Sequence, residues 1–133
     1  MIAYSTDPHH LMSSQLTGFF VGWPDPPRPE TLLKLLRSSY RAVLAHDGER
    51  VVGFATAISD GVLSAYIPLL EVLPEYQGRG LGSEIMRLLL AELDHLYMVD
   101  VMCDDEVVPF YERLGLRRAG GLIRRNYARQ SGE

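Results

Sequence analysis

The sequence predicts an α/β layered fold with a mixed, mostly antiparallel sheet of about six or seven strands. Short apolar runs separated by turn sequences fill the middle of the chain, which is typical of an antiparallel meander. A glycine-rich loop then leads into the strongest helical periodicity, over residues 80–95. Another short apolar run follows, so strand, helix and strand form a right-handed crossover unit. The length of 133 residues corresponds to one domain, spanning residues 1–133.

The first half of the chain predicts one strand, two helices and a meander. Asp7 and Pro8 form a helix start signal, and the prolines between residues 24 and 29 predict a stiff loop. Leucines at helical spacing mark the buried side of the second helix. Asp-Gly at 47–48 and Ser-Asp-Gly at 59–61 predict tight turns. The predicted elements are a strand at 1–4, helices at 7–20 and 29–38, and strands at 41–46, 50–58 and 62–72.

The second half predicts alternating helices and strands. Apolar residues recur at spacings of three and four between Leu81 and Leu96, which indicates a buried helix face. Pro109 is tolerable only in the first turn of a helix, and Gly115 ends that helix. Gly120-Gly121 separates the last two strands. The predicted elements are helices at 80–95 and 106–114, and strands at 97–102, 117–119 and 122–128.

Composition argues against several classes of function. The net charge of −4 disfavours nucleic-acid binding, and no apolar run reaches the length of a membrane span. We interpret the arginines at 117–118 and 124–125 as a solvated sheet edge. The single Cys103 cannot form an internal disulfide, and the first ten residues lack the pattern of a secretory signal. A cytoplasmic location is therefore expected.

The glycine loop at residues 77–82 is the most informative segment. Glycines at alternate positions allow a ligand to approach the backbone, and free N–H groups at a helix N-terminus favour a phosphate. One alternative is a turn that only allows packing. A second is a dinucleotide site, but Ser83 stands at its third glycine position and residues 74–76 separate the loop from the strand. A Walker loop is excluded because no Gly-Lys-Ser/Thr follows.

Residues 72–82 resemble the coenzyme A signature of the GNAT superfamily of N-acetyltransferases. The core of that signature is (Gln/Arg)-x-x-Gly-x-(Gly/Ala), and Val and Pro stand upstream of it. A second family segment, (Phe/Leu)-Tyr-x-x-x-Gly-(Phe/Leu), is similar to residues 110–116 and lies at the expected distance. The residues that match the signature are Val72, Pro74, Gln77, Gly80 and Gly82.

The resemblance implies acetyl-CoA as the thioester co-substrate, with no metal. Helices would cover both faces of the sheet, and strands 62–72 and 97–102 would splay apart to admit the pantetheine arm. Asp104 stands where the family often has Asn, and an ionised carboxylate cannot donate a hydrogen bond. The cofactor-binding residues implied are backbone groups of Leu70 and Val72, the loop and helix start at Gln77, Gly78, Arg79, Gly80, Leu81, Gly82 and Ser83, and Asp104.

Tyr111 resembles the general acid of the family, which protonates the departing coenzyme A sulfur. The attacking amine must be neutral, and a lysine-like amine is only about one part in 2,500 neutral at pH 7. Candidate bases are Glu71, Tyr66, Asp60 and His46, with a chain of water molecules as the default. Acidic residues follow Cys103 and would reduce the reactivity of its thiol, so Cys103 is interpreted as a small apolar residue that fills space.

The amine acceptor is expected to bind beside the two N-terminal helices and the proline loop. Trp23, Tyr66 and Glu71 are the substrate candidates, with Phe19, Phe20 and Tyr40 as further aromatic residues that serve equally well as core. The acidic net charge suggests a cationic small-molecule or peptide amine. Two other hypotheses remain: a coenzyme A-binding or sensing domain without turnover, and a module that only keeps the fold. A homodimer is plausible through pairing of the C-terminal strands.

Overall fold

The computed structural model describes residues 1–133, with one five-stranded sheet, three α-helices and four short 3₁₀ turns. None of the helices combines the length and apolar character needed to cross a membrane. The strands are β1 (Ile2–Ser5), β2 (Arg41–Asp47), β3 (Arg50–Ser59), β4 (Ser64–Val72) and β5 (Met98–Val101). The helices are α1 (Pro29–Ser38), α2 (Leu81–Glu92) and α3 (Val108–Arg113).

The sheet follows the order of the chain, β1-β2-β3-β4-β5. The first four strands pair antiparallel, and β5 pairs parallel with β4. The three-stranded meander predicted from the turn sequences is confirmed. The parallel β4–β5 pair requires a crossover connection, and α2 supplies it. The carboxyl end of β4 therefore leads directly into the glycine loop and α2.

The helix predicted at residues 7–20 is wrong. Only a 3₁₀ turn at Ser13–Gln15 forms there, because Gly18 has a φ of +94° and Phe20 a φ of +62°. The sheet holds the segment in place of helical hydrogen bonds. The Gln15 side chain donates to the Glu49 carbonyl at 2.7 Å, and the Phe20 N–H donates to the Glu71 carboxylate at 2.8 Å.

The two strands predicted at 117–119 and 122–128 are also wrong, so the sheet has five strands rather than six or seven. Residues 117–125 make no backbone–backbone hydrogen bond within the chain, and a strand cannot form without a partner strand. We call residues 117–125 the C-terminal strap. Near the start of the strap, the Arg118 guanidinium donates a hydrogen bond to the Asp105 carboxylate at 3.0 Å. The chain end after the strap returns to the start of α1, where Glu133 forms a salt bridge with Arg28.

Helical and loop residues cover both faces of the sheet. Gly53 and Phe54 are neighbours on β3, so they face opposite sides. Gly53 lies against Ile85 of α2, whereas Phe54 packs edge-on against Phe19 with ring centroids 5.0 Å apart. The α2 face buries Leu81, Ile85, Met86 and Leu89, and the opposite face buries Leu32 and Leu36 of α1 with Leu16, Phe19 and Phe20.

Truncating the buried face of α2 is expected to destabilise the fold. Leu89 is fully buried, so Leu89→Ala should lower the free energy of unfolding by about 2–5 kcal/mol through lost burial and a residual cavity. Met12 is 63% exposed, so Met12→Ala should change the free energy of unfolding by less than about 0.5 kcal/mol. Urea denaturation of both variants checks this. Equal losses would contradict the assignment of α2 as the helix that anchors the loop.

Candidate active site

A gap opens between β4 and β5 because the two strands pair over only part of β4. The parallel ladder joins Ser64–Ile67 to Met98–Val101, and β4 then continues alone to Val72. Pro68 is the first residue past the last pair and has no N–H to donate. Next to Pro68 the register of β4 with β3 is also shifted. Leu69 and Tyr66, three residues apart on β4, lie opposite Thr56 and Ile58, which are two residues apart on β3, and this shift is a β-bulge. Pro68 and the bulge therefore account for the separation of the strands.

The backbone of β4 directs hydrogen-bonding groups into this gap. The Leu73 N–H donates to the Val52 carbonyl at 2.9 Å, so Leu73 and Glu71 direct their polar backbone groups toward β3. Alternation in an antiparallel ladder then turns the backbone groups of Leu70 and Val72 the other way, toward the gap. The Gln77 side chain reaches the Val72 carbonyl from that side at 3.0 Å. The open edge of β4 thus offers the groups an added strand-like ligand needs.

The glycine loop presents a row of unused main-chain N–H groups. The first backbone bond of α2 is from Glu84 N–H to the Gly80 carbonyl, and none of the six N–H groups of residues 78–83 donates to a group of the chain. Gly78 and Gly80 have φ values of +77° and +81°, and a Cβ at either would meet nothing within 4 Å. The row is therefore uncovered and lies at a helix N-terminus, where anions bind.

Two side chains of the loop shape its surroundings. Arg79 donates to the Glu75 carbonyl at 3.1 Å and lies over the Tyr76 ring, 5.0 Å from its centroid. Gln77 holds the end of β4, as described above. Gly82 lies in the first turn of α2, and a Cβ there would make ordinary contacts with Phe110 and Val72 at 3.8 and 3.9 Å. The loop, the end of β4 and α3 therefore meet at one corner.

Tyr111 follows Phe110 on α3, at this corner. It is 9% exposed, packs edge-on against Phe110, and its hydroxyl makes no hydrogen bond within the chain. Burial, with a smaller contribution from the charge of Cys103, raises the pKa of Tyr111 to about 12. The phenol is therefore protonated throughout the neutral range and its hydroxyl can donate a hydrogen bond.

The residues that follow β5 are exposed. Asp104 immediately precedes the 3₁₀ turn Asp105–Val107, and its carbonyl accepts the Val107 N–H at 3.0 Å. Cys103 is exposed, so its interpretation as an apolar filler is wrong. The structure contains no group of three or more His, Cys, Asp or Glu side chains arranged to hold a metal ion.

The bulge places three β4 side chains on the face opposite α2. Residues directly opposite each other in the ladder share a face, and Phe54, Thr56 and Ile58 line one face of β3. Their partners, Glu71, Leu69 and Tyr66, therefore line the same face of β4. Trp23 reaches this face through Phe20, whose ring centroid lies 4.8 Å from that of Trp23. The β3 partners of Glu71 and Tyr66 are four residues apart, so Tyr66 lies about 13 Å from Glu71 along the strand direction.

Glu71 holds the loop that carries these aromatic residues. Its carboxylate accepts the N–H groups of Phe20 at 2.8 Å and Val21 at 3.3 Å. Phe20 occupies a left-handed conformation that side chains rarely adopt, so the two bonds offset a strained backbone. The structure thus gives Glu71 a loop-positioning contact that the sequence did not predict.

Glu71→Gln should loosen this loop, because the amide NH₂ cannot accept a bond from a backbone N–H. We expect a loss of about 1–3 kcal/mol in the free energy of unfolding. Thermal denaturation of the variant measures this loss. An unchanged free energy of unfolding would contradict the loop-positioning role of the Glu71 carboxylate.

The other candidate bases have structural partners. Asp60 accepts the N–H groups of Val62, Leu63 and Ser64 at its turn, and those backbone bonds lower its pKa. The His46 Nε2 lies 2.9 Å from the Ser5 hydroxyl and joins β2 to β1, and burial lowers its pKa. Both lie outside the gap, so neither is placed to accept a proton from an amine there.

Sequence reasoning missed two residues beside the gap. Pro68 could have been noticed, because a proline inside a predicted central strand requires a bulge or a free edge. Asp100 is exposed and lies opposite Tyr66 in the β4–β5 register, so both side chains are on the face opposite α2. The spacing of Asp100 from the glycine loop would fit only the dinucleotide alternative, and the sequence does not place Asp100 on this face, because that position depends on the register.

The model of the Acetyltransferase (GNAT) family matches residues 9–116, which is most of the chain. The chain belongs to the GNAT acetyltransferase family. This confirms the resemblance carried by the loop and the Tyr111 segment, and the GNAT fold here is a mixed α/β sheet of five strands with three helices.

Curated GNAT relatives are similar over 71% of the chain. An uncharacterized N-acetyltransferase, ycf52, of Porphyra purpurea is 32% identical over 100 residues, and the match covers 58% of that protein. The chloroplastic GCN5-related N-acetyltransferase 2 of Arabidopsis thaliana is 32% identical over 117 residues, with 45% of it covered. The chain thus spans about half the length of the curated relatives it matches.

A solved structure is similar to this one over nearly the whole chain. The crystal structure of a candidate acetyltransferase from Deinococcus radiodurans R1 has a TM-score of 0.95 and 52% identity. The superposition covers 98% of this chain and 92% of that one. The same fold therefore extends over the strap and the returning chain end, beyond the segment that the family model matches.

Proposed function

We infer that the protein transfers the acetyl group of acetyl-CoA to a primary amine by direct attack on the thioester. The observation that carries this proposal is the row of unused N–H groups at residues 78–83, contiguous with the free edge of β4. A row of N–H groups at a helix N-terminus can bind a diphosphate, and the free edge of β4 can pair with the amides of a pantetheine arm. The GNAT family membership supports the same reading.

The residues fit the parts of acetyl-CoA in order. The N–H groups of residues 78–83 would bind the diphosphate, with Arg79 at the rim, and Gln77 would keep the end of β4 in place. Backbone groups of Leu70 and Val72 would pair with the pantetheine amides. Acetyl-CoA supplies an activated thioester, and an N–H of this open edge would stabilise the negative charge that gathers on the carbonyl oxygen during attack.

Tyr111 would assist departure of the sulfur by donating a hydrogen bond. Its pKa of about 12 keeps the proton on the phenol. Full transfer to a thiolate whose conjugate acid has a pKa near 8.5 is uphill by roughly 3.5 units. Tyr111 therefore acts as the acid group by stabilising the leaving thiolate, which needs no ionisation of the phenol in the neutral range.

The amine would approach from the face opposite α2, between the loop held by Glu71 and the exposed Tyr66. Trp23 and Tyr66 offer aromatic surfaces for a cationic amine. Asp100 adds a carboxylate on the same face. The substrate class proposed is therefore a cationic amine that loses one proton to water before it attacks.

The pH dependence of turnover follows from these groups. kcat/KM for the amine should rise about tenfold per pH unit until the amine pKa is reached, because only the neutral amine attacks. Tyr111 should contribute no falling limb below about pH 10, since its pKa is raised to about 12. Initial rates between pH 6 and 10 measure this. A falling limb between pH 8 and 10 that disappears in Tyr111→Phe would contradict the proposed role.

The direct test is release of free coenzyme A thiol with a panel of amines. The panel should include a polyamine, an amino sugar, an aromatic ethylamine and a peptide with a free N-terminus. At least one cationic amine should accelerate release above hydrolysis and yield the N-acetyl product by mass spectrometry. Tight binding of acetyl-CoA with no acceleration by any amine would favour the binding or sensing domain instead.

A further inference from the structure

The paired parts of β3, β4 and β5 present an open surface on the face opposite α2. The register places Ile58 opposite Tyr66, and Tyr66 opposite Asp100. All three side chains are exposed, Ile58 by 59% and Tyr66 by 36%. One position farther along both strands, Ile67 and Val101 form the last β4–β5 pair, so this surface borders the gap.

The proposed acetyl-CoA site points its reacting end at Asp100, and the inference below rests on that proposed function. The pantetheine arm pairs with Val72 and then with Leu70, so it runs along β4 from the glycine loop toward Val101. An arm paired with β4 lies about 4.8 Å from it, on the line that β5 follows before the strands separate. The thioester therefore ends in line with β5. Asp100 is the last β5 residue whose side chain is on the face opposite α2.

The register also gives the distance that an acceptor has to span. The β3 partners of Leu70 and Tyr66 are Ala55 and Ile58, which are three residues apart. Tyr66 and its partner Asp100 thus lie about 10 Å from Leu70 along the strand direction. The thioester extends beyond the amide that pairs with Leu70, so the attacking nitrogen is closer than this to the Asp100 carboxylate. A separation of about 6–9 Å remains, which is the length of an extended diamine with four to six methylenes.

Asp100 carries a carboxylate that no group of the chain engages. None of the ion pairs of the chain includes it, whereas the Glu71 carboxylate on the same face accepts the N–H groups of Phe20 and Val21. Residues 51–78 and 88–112, which include β4 and β5, contain neither Lys nor Arg. A cationic group at this surface would therefore pair with Asp100 and lie against the Tyr66 ring without an opposing charge.

We propose that Asp100 and Tyr66 hold a second cationic group of the acceptor, so that the preferred substrate is a linear diamine. Asp100 pairs with the far ammonium, and the near nitrogen attacks the thioester as the free amine. The bond from that nitrogen to the acetyl carbon forms, and the bond from the acetyl carbon to sulfur breaks. The nitrogen releases one proton to solvent and the coenzyme A thiolate takes one up. The product carries one amide and one ammonium.

Amines of matched length test for the second cation. Hexylamine, 1,5-diaminopentane and 6-aminohexanoate end in a methyl group, an ammonium and a carboxylate, respectively. kcat/KM per neutral amine should be about tenfold higher for the diamine than for hexylamine, and lowest for the carboxylate. Ethylenediamine should lose the advantage, because it is too short to reach Asp100 from the thioester. Mass spectrometry should find the monoacetyl product, since its amide no longer pairs with Asp100.

Substitutions of Asp100 test the residue. Asp100→Asn keeps the shape and removes the charge, so the preference for diaminopentane over hexylamine should fall from about tenfold to within about twofold. Asp100→Glu should keep the preference and move the optimum to a diamine that is shorter by one methylene. Asp94→Asn is the matched control, because Asp94 is exposed and precedes β5 at the end away from the gap. It should leave the preference unchanged.

The possible failures are distinguishable. Equal kcat/KM for diaminopentane and hexylamine in the unaltered protein would overturn the diamine inference and leave acetyl transfer standing. A preference that persists in Asp100→Asn would assign the second cation to another group and would overturn it as well. Absence of acetylation of every amine, with acetyl-CoA bound, would overturn the proposed function and this inference with it.

Discussion

Replacing Tyr111 by phenylalanine is expected to lower kcat for amine acetylation by about 10²–10³-fold. The proposed hydrogen bond acts on charge that develops on the leaving sulfur, and removing one such donor typically costs that much. The ring is 9% exposed and packs on Phe110, so phenylalanine keeps the packing and removes only the hydroxyl. Stopped-flow measurement of thiol release under saturating acetyl-CoA gives the chemical step.

The affinity for acetyl-CoA should change by less than about threefold in Tyr111→Phe, since the hydroxyl acts on the departing thiolate. Tyr97→Phe is the matched control, because it removes a hydroxyl from a residue that is 85% exposed and outside the gap. It should leave kcat within about twofold. A Tyr111→Phe enzyme with full kcat would show that the sulfur departs without this donor.

Replacing Gly80 by valine is expected to weaken acetyl-CoA binding by about 100-fold. Gly80 has a φ of +81° immediately before α2, and a β-branched residue in that region is strained by about 1–3 kcal/mol. The space around a Cβ is open, so the chain relieves the strain by rotating the peptide rather than by moving a neighbour. That rotation disperses the row of N–H groups. Isothermal calorimetry with acetyl-CoA measures the loss.

Gly48→Val separates strain from binding. Gly48 also has a positive φ, +60°, and open space around its Cβ, but it lies in the β2–β3 turn. Both variants should lose similar stability in urea denaturation, and only Gly80→Val should lose acetyl-CoA affinity. Equal affinities for the two variants would mean that the loop conformation is irrelevant to the thioester carrier.

The elements around the glycine loop could be predicted because their signals are local. The apolar spacing from Leu81 to Leu89 fixes the buried face of α2, and the Asp47-Gly48 turn fixes the pairing of β2 with β3. The alternating glycines predict an open backbone, and the structure has one at Gly78 and Gly80. Local periodicity and turn chemistry were therefore sufficient to predict the open glycine loop and the elements around it.

The arrangement of the sheet face opposite α2 could not be predicted because it depends on contacts between distant residues. Glu71 holds Phe20, 51 residues away, and nothing local to either indicates this bond. The helical appearance of residues 7–20 was misleading, because the sheet supplies bonds that replace those of a helix. The prediction of two C-terminal strands was wrong for a related reason. Residues 117–119 and 122–128 were predicted as strands on either side of Gly120-Gly121, but a strand forms only by pairing with another strand, and residues 117–125 make no backbone–backbone hydrogen bond within the chain.

Nuclear magnetic resonance of the backbone amides tests the central claim most directly. Titration of the ¹⁵N-labelled protein with coenzyme A should shift the N–H signals of residues 78–83 and those of Leu70 and Val72. Pantetheine, which lacks the diphosphate, should shift the two β4 signals and leave the loop signals in place. Saturation with coenzyme A while the signals of residues 78–83 stay unmoved would contradict the account.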